Sequence, residues 1–328
     1  MEMTGMQFKD YHVSRPHRLF LFLGLFSLVG SAAFVWSPYH VRSWPAIPPV
    51  HIRRVANSSK ENIWLVETSG KAALNARQAC SIESAAIYNP EFNVRLLSTG
   101  NVGDGSCPYY RVLLGLPNFI WARVNASDVL DGSPIKELYL KFFNPGSPYA
   151  TPHLSDFLRY LLLWKQGGVY LDTDVIVTKP LTGIRNSVVY ENIRAGEVAS
   201  AVLFFDAKYP VLETLMKWCA SMYLPDDFAG CGPVVVSKLP GDIKLSRLVT
   251  FLDNSTFMAI HWSDWKALFS PNETLRVLRA TKSSYGVHFW NFLSHRTPIV
   301  PRSGCAMDYF AESHCPRVYK VASQQPYF

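Results

Sequence analysis

The stretch Ser155-Asp156-Phe157-Leu158-Arg159-Tyr160-Leu161-Leu162-Leu163-Trp164-Lys165-Gln166-Gly167-Gly168-Val169-Tyr170-Leu171-Asp172-Thr173-Asp174-Val175-Ile176-Val177 decides the fold. Leu154, Phe157, Leu158, Leu161 and Leu162 follow the spacing of a buried helical face. A helix is therefore predicted over 156–166, with Ser155 as its N-cap and Gly167-Gly168 as its stop. Val169–Leu171 reads as a strand that leads to Asp172 and Asp174, and the apolar run Val175–Val177 follows. Carboxylates inside buried β-type sequence are costly when unpaired. A divalent cation with hard oxygen ligands, Mg or Mn, neutralises both and brings an anionic substrate with it. The plainer reading of a lone D-x-D is an exposed turn that only solvates the chain.

Upstream, Asn62–Thr68 reads as a strand, Ala72–Ala86 as a helix, Asn93–Ser98 as the next strand and Ile120–Val124 as another. This is the parallel β-α-β pattern of a Rossmann-like sheet with helices on both faces. No Gly-x-Gly-x-x-Gly fingerprint is present, which argues against a dinucleotide cofactor. Open α/β sheets bind ligands at the carboxyl ends of their strands, so the loop after Glu67 and the loop holding Asp172 and Asp174 are expected at one sheet edge.

The chain has 328 residues and a net charge of +7, with its basic residues scattered rather than gathered into a stripe, so nucleic-acid binding has little support. Leu19–Trp36 is uncharged and apolar and follows Lys9, Arg15 and Arg18. That arrangement predicts a cytosolic tail over 1–18, a transmembrane signal-anchor over 19–36, a proline-containing stem over 37–61 and a lumenal catalytic domain over 62–328. Cleavage as a signal peptide near Gly30-Ser31-Ala32-Ala33 is the alternative, and it leaves the body lumenal too. Sequons at Asn57, Asn125, Asn254 and Asn272, and six cysteines after the apolar run, suit that compartment. No Cys-x2-Cys pair exists, which disfavours structural zinc, and Cys305–Cys315 is the pair expected to join first, pinning a tail with few helix or strand signals.

Several segments resemble one family: the run 155–180 around Asp172 and Asp174, Glu67-Thr68-Ser69, Cys80–Ala86, Gly230-Cys231-Gly232-Pro233, Ile260–Trp265 and Tyr285–Asn291. Their order and character resemble the D-x-D glycosyltransferases of the lactosylceramide 4-alpha-galactosyltransferase and alpha-1,4-N-acetylglucosaminyltransferase type. The resemblance implies a GT-A fold and a retaining hexosyltransferase that uses a UDP-sugar donor and Mn2+ (or Mg2+). It also implies α1,4 transfer to a glycolipid acceptor by a type II Golgi membrane protein, alone or as a homo- or hetero-oligomer. Asp172 and Asp174 would then hold metal and diphosphate. Asp156, Arg159, Glu67 and Gly168 would meet the donor, and Gly232, Asp227, Trp262 and Trp290 the acceptor sugar.

His288 is the expected third metal ligand, with His261 the weaker choice. Glu191, Asp226 and Asp227 are read as sugar contacts more readily than as a nucleophile. Arg194–Phe205 lacks the asparagine-glycine turn typical of the family, which leaves the donor sugar open. Two other readings remain: a binding partner that keeps the fold without turning over, and a metal-dependent hydrolase, which would carry more His and Asp ligands.

Overall fold

The computed structural model describes residues 60–102 and 107–328. The expected tail, the membrane segment, nearly all of the stem and Asn57 lie outside the described residues. Among the described residues, no helix is long and apolar enough to cross a membrane.

The strands are β1 (Asn62–Glu67), β2 (Asn93–Ser98), β3 (Phe119–Arg123), β4 (Gly168–Leu171), β5 (Val175–Val177), β6 (Ser187–Asn192), β7 (Glu197–Phe205), β8 (Thr250–Leu252) and β9 (Gly286–His288). The helices begin with α1 (Ala76–Tyr88), α2 (Pro108–Leu114), α3 (Ala126–Val129), α4 (Pro134–Phe142), α5 (Ala150–Gln166) and α6 (Pro210–Met222). They continue with α7 (Pro233–Val236), α8 (Thr274–Ala280), α9 (Asn291–Ser294), α10 (Ala306–His314) and α11 (Pro316–Ala322). Seven strands form the main sheet in the order β3-β2-β1-β4-β7-β6-β8. β7 alone runs against its neighbours, and the other pairs are parallel.

Alternation along β1 explains the two layers. Ile63 and Leu65 face one side with α1, α2, α10 and α11, whereas Trp64 and Val66 face the other with α4, α5 and α6. Both faces are covered, as expected for a mainly parallel sheet.

Boundaries differ from the sequence reading at both predicted helices. α1 starts at Ala76 rather than Ala72, because Asn75 and Gln78 form a capping box there. α5 starts at Ala150, six residues before the predicted start, so Ser155 lies inside the helix rather than capping it. Pro152 is tolerated in the first turn, where its missing N–H costs no helical hydrogen bond. Gly167 and Gly168 do end this helix, with φ of +66° and +104°. A Cβ at Gly168 would lie 2.1 Å from the Asn62 carbonyl oxygen, which excludes any other residue there.

The acidic pair does not sit within one strand. After Leu171 the Asp172 N–H still reaches Ala201 O at 2.9 Å, but the chain then turns and β5 pairs antiparallel with β9 in a separate two-stranded sheet. Asp172 and Asp174 thus occupy the step from one sheet to the other.

The expected Cys305–Cys315 bridge is absent. The disulfides are Cys80–Cys315 and Cys219–Cys231, while Cys107 and Cys305 are buried thiols. Cys305 and Cys315 flank the nine-residue helix α10, and a rigid rod about 14 Å long holds them beyond bridging distance. The tail, in which few helix or strand signals were read, forms α10 and α11, which pack on α1 and are joined to it through Cys80.

Candidate active site

Pairing of β5 with β9 places Val175 opposite His288, which brings His288 beside Asp174. Asp174 Oδ2 lies 3.1 Å from His288 Nε2 and accepts the Asn291 N–H at 2.8 Å. The backbone arranges the second contact. Trp290 sits in the left-handed region at φ 54°, an uncommon state for a bulky residue, and the turn it makes points Asn291 N–H at the carboxylate. The Trp290 ring lies 4.0 Å from that of His288, centroid to centroid, and its Nε1 donates to Ile260 O.

Asp172 is held from the other side. It accepts the Tyr170 hydroxyl at 2.5 Å and lies 3.2 Å from Arg159 Nη2. Arg159 also pairs with Asp156 at 2.9 Å, donates to Ser200 O at 2.8 Å and lies over the Tyr170 ring at 4.7 Å. The Asp156–Arg159 pair anticipated from i, i+3 spacing therefore forms, but buried beneath Asp172 rather than on the surface. One guanidinium serves two carboxylates. Burial pushes Asp156 up to about 7 against the pull of Arg159, and it raises Asp172 as well. Burial also opposes charge on Asp174, but His288 and the Asn291 N–H outweigh it and hold the carboxylate below its usual range. His288 is raised in turn by Asp174 in spite of its own burial.

One ligand atom from each of Asp172, Asp174 and His288 lies within 4.8 Å of the others, and His288 Nδ1 is buried without a protein partner. Two carboxylates and an imidazole are a fitting donor set for Mn or Mg.

Glu67 ends β1 at the same sheet edge, as expected. Its Oε1 accepts the Ser69 N–H at 3.1 Å, and its Oε2 is buried with no partner. Gly168 is a correction: it opens β4 at the opposite end of that strand from Asp172, and its tight contact is with the Asn62 backbone. Gly232 packs directly on Asp156, where a Cβ would come within 2.9 Å of both carboxylate oxygens. Asp227 serves its own loop, accepting the Ala229 N–H through Oδ1 and His153 Nε2–H through its carbonyl. Trp262 is exposed at 36%, but Trp290 at 9% is packed beside His288 and offers no open face.

His261 does not join Asp172 and Asp174. It lies instead with Glu191 and Glu197. Sequence reasoning missed Tyr170 and the Asn291 N–H. Tyr170 gave a usable signal, because a strand residue two before Asp172 points to the same side.

The comparisons agree with this geometry. A family model for the alpha 1,4-glycosyltransferase conserved region matches residues 204–322. One for the glycosyltransferase sugar-binding region containing the DXD motif matches 75–195. The Mus musculus lactosylceramide 4-alpha-galactosyltransferase is 30% identical over 282 residues, covering 80% of this chain and 77% of that protein. The chain belongs to the alpha-1,4-glycosyltransferase family. The Homo sapiens alpha-1,4-N-acetylglucosaminyltransferase is 25% identical over 292 residues, covering 82% of this alpha-1,4-glycosyltransferase and 83% of its own length. The sheet order and the D-x-D step are those of a GT-A-like fold, and the chain is a hexosyltransferase.

Proposed function

We propose that the chain moves galactose or an N-acetylhexosamine from a UDP-sugar, in α1,4 linkage and with retention, onto a glycolipid acceptor at the Golgi membrane. The observation that carries this reading is the convergence of Asp172, Asp174 and His288 at the carboxyl edge of the sheet, in a chain whose relatives are named for 4-alpha-galactosyl and alpha-1,4-N-acetylglucosaminyl transfer. Asp172, Asp174 and His288 would hold Mn2+, which neutralises charge on the departing diphosphate.

The remaining residues support that site. Arg159 and the Tyr170 hydroxyl fix the Asp172 carboxylate, so it costs no reorganisation when the donor arrives. Trp290 and the Asn291 N–H fix Asp174 in the same way. Glu67, with one buried oxygen lacking a partner, is the donor contact on the β1 side, and Asp156 and Arg159 act on the donor through Asp172. Trp262 offers an exposed indole to the apolar face of the acceptor sugar. The apolar run 19–36 anchors the chain, and Asn125 and Asn272, both exposed, carry glycans. A partner that does not turn over finds no support, because the site's acidic pair and its bracing are complete.

The full chain in detergent, tested with UDP-galactose, UDP-GalNAc and UDP-GlcNAc on neutral glycolipids, should give Mn-dependent product with one donor. Asp174→Asn should lower that rate at least about 100-fold at an unchanged melting temperature, in keeping with the loss of one preorganised electrostatic group. Product formed equally well without divalent metal, or by Asp174→Asn, would overturn the reading.

A further inference from the structure

The described residues contain a second group with metal-ligand chemistry. Glu191 lies at the end of β6, where the register with β7 shifts between Tyr190 and Asn192. A bulge of this kind re-aims a side chain. Glu197 opens β7 directly across the turn, paired through the backbone with Asn192. His261 comes from a distant segment, just before the helical turn that starts at Trp262. Its Nδ1 lies 2.8 Å from Ser263 Oγ and 3.3 Å from the Ser263 backbone nitrogen, which fixes the ring; ligation through Nε2 requires the tautomer in which Nδ1–H donates to that hydroxyl. That Nε2 is sealed from solvent and has no hydrogen-bond partner.

We propose that Glu191, Glu197 and His261 form a second divalent-cation site, separate from the one at Asp172, Asp174 and His288. One ligand atom from each residue lies within 4.8 Å of the other two. Three atoms at that limit lie within about 2.8 Å of a common centre, roughly 0.6–0.8 Å beyond the ~2.0–2.2 Å of Zn–N and Zn–O bonds, a gap that rotation of the glutamate side chains can close. Glu197 opposes charge on Glu191, and a cation between the two carboxylates relieves that repulsion. Imidazole with carboxylate selects Mn2+ or Zn2+ over Ca2+. Glu191 also interacts electrostatically with His288, so the second cation would neighbour the first, next to the exposed Trp262. Sugar hydroxyls are hard oxygen donors suited to its open positions.

Mn2+ titration of the full chain followed by electron paramagnetic resonance counts bound ions without an activity assay. The expected result is two ions per chain in the wild type. One ion should remain in Asp172→Ala/Asp174→Ala, one in Glu191→Gln/His261→Gln, and none in the four-fold variant. Glu197→Gln alone, at an exposed position, should weaken the second ion at least about 10-fold while the fold is kept. Two ions retained in Glu191→Gln/His261→Gln would overturn the proposal. So would a wild type that binds no ion, or a single ion that is lost from Asp172→Ala/Asp174→Ala. An ion that survives loss of the aspartates but not loss of Glu191 and His261 would support it and overturn the transferase metal site instead.

Discussion

His153 shows how one buried side chain ties a loop to the scaffold. Fully buried on α5, it faces the Tyr223 hydroxyl through Nδ1 at 3.1 Å and donates from Nε2 to Asp227 O at 2.9 Å. Burial holds its imidazole below the usual range, more than the Asp227 carbonyl raises it. The unfolded chain therefore takes up the proton first. The stability this group contributes is present above about pH 6.5 and is lost as pH falls below that value. His153→Gln, neutral throughout, should lower the denaturant midpoint at pH 7.5, and the gap between wild type and variant should narrow as pH falls to 5.5, because only the wild type loses this group's contribution. Gly232 makes a second test at this scale. Gly232→Ala forces a methyl against both oxygens of Asp156, which Arg159 does not release, and should cost about 1–3 kcal/mol in chemical denaturation. Asp172 and Asp174 stood out in the sequence as carboxylates inserted into apolar β-type surroundings, whereas His288 was reached only through the family resemblance. Trp262 and Trp290 looked alike in sequence, and only the left-handed turn at Trp290 separates a packed indole from an exposed one.

At the scale of elements, β1 to β4 were read nearly to the residue, because their apolar runs are bounded by clear breaks, whereas β6, β8 and β9 were not read as strands. Helix starts were misread where a local cap or a first-turn proline overrode the apolar period, at Asn75 and Pro152. The break between β4 and β5 was not readable, since Val175–Val177 is equally apolar in either sheet and its partner lies more than a hundred residues away. The Cys219–Cys231 bridge fastens the end of α6 to the loop that leads into Gly232 and α7. Replacing both cysteines by serine should lower stability by about 3 kcal/mol, as expected for a closed loop of this size. The same variant should speed amide hydrogen exchange across 223–236 before it does so in β1 or β4.

For the whole molecule, the fold class followed from the β-α-β succession, and Glu67 and Asp172 do lie at one rim because the carboxyl ends of parallel strands gather there. Disulfide connectivity was not, since it depends on how the C-terminal helices return to α1. That return also governs when activity can arise during synthesis. A chain made from its N-terminus first has Asp172 and Asp174 long before His288, and Cys80 waits 235 residues for Cys315. During that interval the buried face of α1 has no α10 or α11 to cover it, and Cys107 is a nearer thiol than the correct one. Until its final helices emerge the growing polypeptide keeps an uncovered apolar face and an unpaired Cys80, and until β9 is made it lacks the His288 that completes the candidate site.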